Sequence, residues 1–218
     1  MRIFCDIDGT LTDFEKFVKM YSPQYMQRKY GWEIDNPYGY DIEQLFSVKE
    51  KLSKFGLNTT EKEHECEKIV EQFWNTYYLK YLFTPMRFGV HNTSMQIKKQ
   101  AWELIIITSR KKATERNILG TLVYLTIRLQ LWLNGVYYKK LIICANDFEK
   151  IEAIKECLPD VLIDDKPEII DQVGDIIPTI CIKSSYNMEQ KKAYCTVDGF
   201  NNNIFEALSQ IGTIKRMK

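Results

Sequence analysis

The sequence lacks a strong excess of charge of either sign. Its 30 Lys and Arg residues stand against 29 Asp and Glu residues, and the formal net charge is +1. A general nucleic-acid coat and a membrane-surface protein both depend on an excess of positive charge. We therefore expect neither nucleic acid nor membrane as a partner.

The chain also lacks a C-x-x-C pair, since its six cysteines are scattered. Several lie in or beside apolar runs, and we interpret them as reduced thiols of a cytoplasmic protein. The first apolar run begins at Arg2 and leads directly into acidic residues. We expect no signal peptide, because cleavage would remove those residues.

Long hydrophobic runs are missing as well. The one membrane candidate, Ile118–Leu133, is shorter than the roughly 18 residues of a span. It also carries Arg128 and Gln130, which favours a buried or interfacial helix. We expect no membrane segment.

What the chain does have is an apolar content of 45% over 218 residues, enough for one core and a smaller lobe. Five short runs are apolar almost throughout, which is typical of parallel strands covered on both faces. These runs are Arg2–Cys5, Glu103–Thr108, Leu141–Cys144, Val161–Ile163 and Pro178–Ile182. Helical segments separate the later runs, namely Gln96–Ala101, Ala113–Leu133, Phe148–Cys157 and Pro167–Val173. The alternation predicts an α/β fold with a doubly wound parallel sheet of five strands.

The gap between the first two strands is much longer than a crossover requires. We predict that residues 15–84 form a helical insertion, and that residues 1–14 and 85–218 form the core. A capping box at Thr60–Glu63 predicts a helix start, and apolar and aromatic residues follow at helical spacing. Because the insertion leaves the sheet at a strand end, where ligands bind in such folds, it is expected to act as a cap over the site.

Two aspartates follow the first strand in the stretch Asp6-Ile7-Asp8-Gly9-Thr10. Strand side chains alternate, so Asp6 and Asp8 point the same way. Two carboxylates on one face repel each other unless a cation lies between them or one is protonated. The pair therefore indicates a metal site, a proton-transfer role, or both.

Other polar residues follow the later strands. Thr108, Ser109 and Arg110 end the second strand, Lys150 opens a helix, and Asp164-Asp165 end another strand. Taken alone, Lys150 could be a solvated lysine and the acidic pair a turn former. Taken together, all lie on the edge of a parallel sheet where the carboxyl ends of the strands meet.

This order of motifs resembles the haloacid-dehalogenase-like (HAD) phosphotransferase superfamily over residues 2 to about 185. The resemblance implies a phosphatase in which Asp6 is the nucleophile and Asp8 the general acid and base. It implies that Thr108, Ser109 and Lys150 hold the phosphoryl group, and that Gly9 lets the backbone approach it. It also implies a magnesium ion held by the Asp6 carboxylate, the Asp8 carbonyl and one or both of Asp164 and Asp165.

A narrower resemblance is to the 5′(3′)-deoxyribonucleotidase group and its bacterial relatives, carried by "DIDGTLTDFE", "IIITSR" and "VLIDDKPEII". In that group an aromatic residue after the first motif lines the nucleoside pocket, and Phe14 matches it. The resemblance implies a nucleoside monophosphate as substrate, with Phe14 and Arg110 as possible contacts. Thr10 departs from the valine common in the animal enzymes. Two alternatives stay open, a phosphatase of a sugar or polyol phosphate and a catalytically silent scaffold.

The long apolar segment after the second strand carries two apolar faces. We predict that the face of Ile118, Leu122, Leu125, Leu129 and Trp132 covers the sheet. The second face, with Val123, Tyr124, Ile127 and Leu131, then needs a partner. Either the C-terminal segment or another copy in a homodimer would serve, and the homodimer is favoured.

Overall fold

A computed structural model gives the fold and describes residues 1–200 and 202–216. The chain divides into two compact units. Unit 1 comprises Met1–Asp13 and Pro85–Lys218, and unit 2 comprises Phe14–Thr84. Phe14 therefore groups with unit 2, whereas the prediction placed residue 14 in the core. The cap role of residues 15–84 stays a prediction.

Unit 1 is built on a parallel sheet of six strands, and the predicted α/β class is confirmed. The strands are β1 (Arg2–Cys5), β2 (Glu103–Ser109), β3 (Lys140–Cys144), β4 (Val161–Asp164), β5 (Thr179–Ile182) and β6 (Cys195–Val197). Their order is β3-β2-β1-β4-β5-β6, so β1 lies between β2 and β4. The predicted count of five was short by one. The sixth strand is three residues long with one buried residue, too little for an apolar run.

The apolar runs follow directly from this arrangement. All four residues of β4 and all four of β5 are buried, because helices and neighbouring chain cover both faces. The α-helices of unit 1 are α5 (Val90–Lys99), α6 (Lys111–Thr114), α7 (Ile118–Leu133), α8 (Asp147–Cys157), α9 (Pro167–Val173) and α10 (Asn202–Arg216).

The predicted helix Ala113–Leu133 is in fact two helices, α6 and α7. Asn117 caps α7, since its side chain accepts a hydrogen bond from the amide of Gly120. The capping geometry requires an extended residue at that point, so the helix cannot run through it.

The orientation predicted for α7 was wrong. Val123, Ile127 and Leu131 are buried, and the face predicted to cover the sheet is exposed. Both faces are apolar, and periodicity alone could not choose between them. Charge placed at Ile127 or Leu131 would therefore disrupt the core rather than an interface.

Unit 2 is helical and has its own core. Its helices are α1 (Phe14–Tyr30), α2 (Ile42–Leu45), α3 (Val48–Ser53) and α4 (Thr59–Leu82). The capping box of α4 uses Asn58 and Glu61, two residues before the predicted one. The aromatic stripe of α4 lies in or against this core, with Phe73 fully buried and Trp74 and Tyr77 packed beside it.

Two further findings bear on the sequence predictions. All six cysteines are free, and four of them are buried. Among residues 1–200 and 202–216, no helix combines the length and hydropathy needed to cross a bilayer.

Candidate active site

The candidate site lies at the carboxyl end of β1, in the middle of the sheet. Asp6 follows β1 directly, and its amide donates a hydrogen bond of 3.0 Å to the carbonyl of Ile163 in β4. Strands β2 and β4 flank β1, so Thr108 near the end of β2 and Asp164 at the end of β4 lie beside the end of β1. The carboxyl ends of these strands therefore bring together most of the predicted site residues.

Three buried carboxylates meet here. Asp6, Asp164 and Asp165 each offer an oxygen, and these oxygens lie within 4.8 Å of one another. The Asp164 side chain is held by the backbone that follows it. Its Oδ1 accepts hydrogen bonds from the amides of Asp165 and Lys166 at 2.9 and 3.0 Å. These two bonds fix the chain directly after β4, where both aspartates lie at the sheet edge.

Lys150 lies between two of these carboxylates. Its Nζ is 2.7 Å from Asp6 Oδ1 and 2.8 Å from Asp164 Oδ2, and its side chain is 2% exposed. Burial acts to lower the pKa of Lys150, but Asp164 and Asp6 outweigh burial and raise it above its ordinary value. The lysine is therefore a fixed buried cation, and the solvated alternative is excluded by its burial.

Burial is the main cause that raises the pKa of Asp6 well above its usual value. Lys150 opposes this shift, while Asp164, Asp8 and Asp165 add to it. Lys150 is thus the group that favours the ionised form of Asp6 in a pocket that otherwise disfavours it.

Asp165 is held by residues outside the predicted site. Thr10 Oγ1 donates to Asp165 Oδ1 at 2.7 Å, and the Tyr186 hydroxyl donates to Oδ2. Asn187 Nδ2 donates to the carbonyl of Asp165 at 2.7 Å. Burial and then Asp164 raise the pKa of Asp165 to about 7, although the hydroxyls of Tyr186 and Thr10 act against the shift. The segment after β5 was the missed signal, because it too follows a parallel strand at the same sheet edge.

Gly9 is required at its position for two reasons. Its φ is +87°, a conformation that glycine adopts without strain. A Cβ at this residue would also lie 2.0 Å from Asp165 Oδ2. Arg87 fixes the same turn, since its Nη2 donates to the carbonyl of Gly9 at 2.9 Å.

Asp8 is held by a forked ion pair with Arg110. Arg110 Nε donates to Asp8 Oδ2 at 2.8 Å, and Nη2 donates to Oδ1 at 2.5 Å. Thr108 Oγ1 donates to the same Oδ2 at 3.2 Å. Both Arg110 and Thr108 are buried. The structure therefore gives these two residues a contact with Asp8, and their predicted contacts with substrate stay predictions.

The remaining predicted residues are placed as follows. The Ser109 hydroxyl interacts with the carboxylate of Asp147 and helps to lower the pKa of that group. The predicted contact of Ser109 with the phosphoryl group stays a prediction. Phe14 packs in unit 2, where its ring centroid lies 4.7 Å from that of Tyr40 and 5.4 Å from that of Trp74. The predicted role of Phe14 in substrate binding stays a prediction.

The donor set fits magnesium. When Asp6, Asp164 and Asp165 are ionised, three negative charges face the one positive charge of Lys150, which leaves −2 in a buried site. Such an excess is costly in the protein interior unless a cation or protons neutralise it. The available donors are oxygens, which Mg²⁺ prefers. These residues could therefore hold a divalent cation.

The sequence was compared with protein-family models and with curated proteins. No protein-family model matches the chain, and no curated protein matches it. Solved structures do match the chain.

Three of these structures serve as examples. A β-phosphoglucomutase from Clostridium difficile has a TM-score of 0.60 at 17% identity, with 100% of this chain and 99% of that chain covered. A phosphonoacetaldehyde hydrolase-like protein from Oleispira antarctica has a TM-score of 0.66 at 12% identity, with 99% and 92% covered. A HAD hydrolase of family IA, variant 3, from Entamoeba histolytica has a TM-score of 0.54 at 15% identity, with 92% and 94% covered.

At identities this low, the likeness establishes a shared fold but not a shared activity or substrate. The fold expected from the order of the four motifs is the one that these structures have. The chain therefore has the HAD-like α/β fold.

Proposed function

We propose that the protein is a magnesium-dependent phosphomonoester hydrolase that acts through an aspartyl-phosphate on Asp6. The observation that carries the proposal is the arrangement of charges at the end of β1. A buried carboxylate at Asp6 lies 2.7 Å from a buried ammonium, beside two further buried carboxylates. Another carboxylate, that of Asp8, follows Asp6 by two residues and is held in place by an ion pair with Arg110.

In the first step, an oxygen of Asp6 attacks the phosphorus of the ester and displaces the alcohol. This attack requires the ionised carboxylate, which Lys150 favours. We propose that Lys150 neutralises the phosphoryl oxygens as charge spreads over them, and that Ser109 donates a hydrogen bond to them. Bound Mg²⁺ would supply further neutralisation between Asp6 and the phosphate dianion.

Asp8 serves as the general acid and then the general base. It protonates the leaving ester oxygen in the first step and takes a proton from the attacking water in the second. Both of its oxygens contact the Arg110 fork, and Thr108 adds a third contact. We propose that these contacts set the direction from which Asp8 reaches the ester oxygen.

Two substrate classes are candidates. The motif resemblance favours a nucleoside monophosphate, with Phe14 as the base-stacking residue. The structural neighbours favour a sugar phosphate, since one of them is a β-phosphoglucomutase. Phe14 already has Tyr40 and Trp74 as ring partners within unit 2, which gives it a structural role without a ligand. A sugar or other small phosphate ester is therefore at least as well supported as a nucleotide.

A substrate screen tests the proposed function. We expect the purified protein to release inorganic phosphate from at least one class in a panel of nucleoside monophosphates, sugar phosphates and polyol phosphates. The activity should require Mg²⁺ and disappear in excess chelator. Calcium should suppress it, because Ca²⁺ takes more and longer oxygen contacts and lets Asp6 bind with both oxygens. Turnover that is unchanged in chelator would contradict the metal assignment, and no turnover of any ester would favour the scaffold alternative.

The contribution of Arg110 can be measured from leaving-group dependence. Arg110→Ala removes the fork, and misaimed acids lose much of their catalytic contribution. We expect kcat/KM for an alkyl phosphate to fall by about 10² or more, the usual contribution of general acid catalysis. For p-nitrophenyl phosphate, whose leaving group needs no proton, kcat/KM should fall by less than about tenfold.

Arg110→Lys is the matched variant for this measurement, because it keeps the charge but cannot form a fork. It should fall between the wild type and Arg110→Ala for the alkyl phosphate. Equal losses for both leaving groups would show that Arg110 acts on the phosphate or on folding, not through Asp8.

A further inference from the structure

One side of α7 presents an apolar stripe to solvent. The buried side of the helix carries Val123, Ile127 and Leu131. On the opposite side, seven large apolar side chains are each between 41% and 81% exposed. This apolar stripe consists of Ile118, Leu119, Leu122, Leu125, Leu129, Trp132 and Leu133.

The stripe is large for a surface that stays in water. The largest apolar patch on a typical monomer covers roughly 300–600 Å². Seven side chains of this size and exposure offer on the order of 800 Å² of apolar surface, which is the area per partner in a standard interface. The stripe is therefore large enough to support a stable dimer by itself.

The spacing within the stripe indicates what covers it. Its central residues, Ile118, Leu122, Leu125, Leu129 and Trp132, follow at intervals of four, three, four and three. This is the repeat by which two helices pack along a common seam. A lipid surface requires no such repeat, because a bilayer does not interdigitate with individual side chains.

The pattern is also symmetric about its middle residue. Ile118 and Trp132 lie seven residues to either side of Leu125, and Leu122 and Leu129 lie three and four residues to either side. A second α7 laid antiparallel would place Leu125 against its own copy and Ile118 against Trp132. A self-complementary surface of this kind is what a two-fold axis requires. Arg128 is the one charged residue of α7 and lies outside the stripe, so the pairing brings no like charges into the seam.

We propose that two copies of the chain associate through the apolar stripe, with the α7 helices antiparallel and Leu125 at the two-fold axis. The proposal does not depend on the phosphatase activity, since no residue of the stripe belongs to the candidate active site.

Sedimentation velocity over a range of concentrations tests the association. The wild type should sediment as a dimer of the 25.8 kDa chain. Leu125→Glu places two glutamates against each other at the axis, and the dissociation constant should rise by on the order of 100-fold or more. Ile176→Glu is the matched control, because Ile176 is a similarly exposed apolar residue of unit 1 outside the stripe. It should leave the dimer intact.

Disulfide trapping tests the orientation without disturbing the seam by charge. Under mild oxidation, Leu125→Cys should form a covalent dimer and Ile118→Cys should not, because residue 118 faces residue 132 of the other copy. Linking of both variants would indicate a parallel pair and overturn the antiparallel arrangement. The wild type, which carries only its own six cysteines, serves as the background.

Three other outcomes would overturn the proposal. A monomeric wild type that unfolds on Leu125→Glu would mean that the chain itself covers the stripe. A monomer that binds vesicles of anionic phospholipid through the same residues would assign the stripe to a membrane surface. A dimer that persists equally in Leu125→Glu and Ile176→Glu would place the interface elsewhere.

Discussion

Asp6→Asn should abolish phosphate release, with a loss in kcat/KM of at least about 10⁴, the scale seen when a nucleophile is removed. The amide cannot attack phosphorus, and no other buried carboxylate in the described site follows β1 directly. Asp8→Asn should also stop turnover, but at a later point, because Asp6 can still be phosphorylated by an ester that leaves without a proton.

The two variants can be separated by intact-protein mass spectrometry after mixing with p-nitrophenyl phosphate. Asp8→Asn should gain the mass of one phosphoryl group and keep it, whereas Asp6→Asn should gain nothing. In the wild type, a beryllofluoride adduct should map to Asp6. An adduct on Asp8 or Ser109 would contradict the assignment.

A matched substitution controls for the loss of a carboxylate in general. Asp171 is exposed in the second half of α9, and its Oδ1 accepts a hydrogen bond of 3.1 Å from Gln190 Nε2. Asp171→Asn should keep activity within about twofold of the wild type, since exposed substitutions away from special features have small effects. Unfolding temperatures of all three variants would show that each one folds.

The parallel strands were predictable because burial on both faces leaves a simple signal. Strands β1, β4 and β5 appear in the sequence as runs of apolar residues, and the predicted bounds are within a residue of the observed ones. Helix starts were less accurate where the first turn is polar. Helix α5 begins at Val90, six residues before the predicted start at Gln96. Its first turn contains the polar residues His91 and Asn92, so the sequence shows no helical repeat of apolar residues there.

The grouping of site residues was predictable for the same topological reason. Parallel strands end on one edge of a sheet, so Asp6, Thr108 and Asp164 had to lie near one another. The contacts between their side chains were not predictable, since they depend on side-chain reach and rotamer. The Arg110 fork on Asp8 and the Tyr186 hydroxyl on Asp165 are examples, and neither residue pair is close in sequence.

The orientation of α7 shows the limit of periodicity more generally. A helix that is apolar on two sides fits a core and an interface equally well in the sequence. The choice is made by tertiary packing, which buries Val123, Ile127 and Leu131 and leaves the apolar stripe outside.

Lys150→Met should be among the most destabilising single changes in unit 1. Methionine keeps the length of the side chain but removes the ammonium between Asp6 and Asp164, both of which are buried. Removing one partner of a buried ion pair leaves an uncompensated charge and typically costs about 3–5 kcal/mol. For a chain of this size that corresponds to a fall in unfolding temperature of about 10 °C. Activity should fall by about 10³ or more, because the site loses a fixed cation at the reacting group.

The stability lost in Lys150→Met should depend on pH. Without Lys150, nothing opposes the rise of the Asp6 pKa that burial causes. A folded carboxyl with a raised pKa holds its proton at pH values where the unfolded chain has lost it. Folding is therefore favoured as pH falls through the folded pKa. In metal-free protein, the gap in unfolding temperature between Lys150→Met and the wild type should narrow as pH falls from 8 towards about 5.

Two further variants make the prediction specific to the buried charge. Lys155→Met changes a lysine on the same helix whose ion pair with Glu152 is at the surface, and it should cost less than about 1 kcal/mol. Lys150→Met combined with Asp164→Asn removes one of the stranded carboxylates, and it should recover part of the lost stability but none of the activity. If Lys150→Met matched the wild type in unfolding temperature from pH 5 to pH 8, protons shared among Asp6, Asp164 and Asp165 would already neutralise the site. The ammonium would then be dispensable, and the charge excess that argues for a divalent cation would not exist.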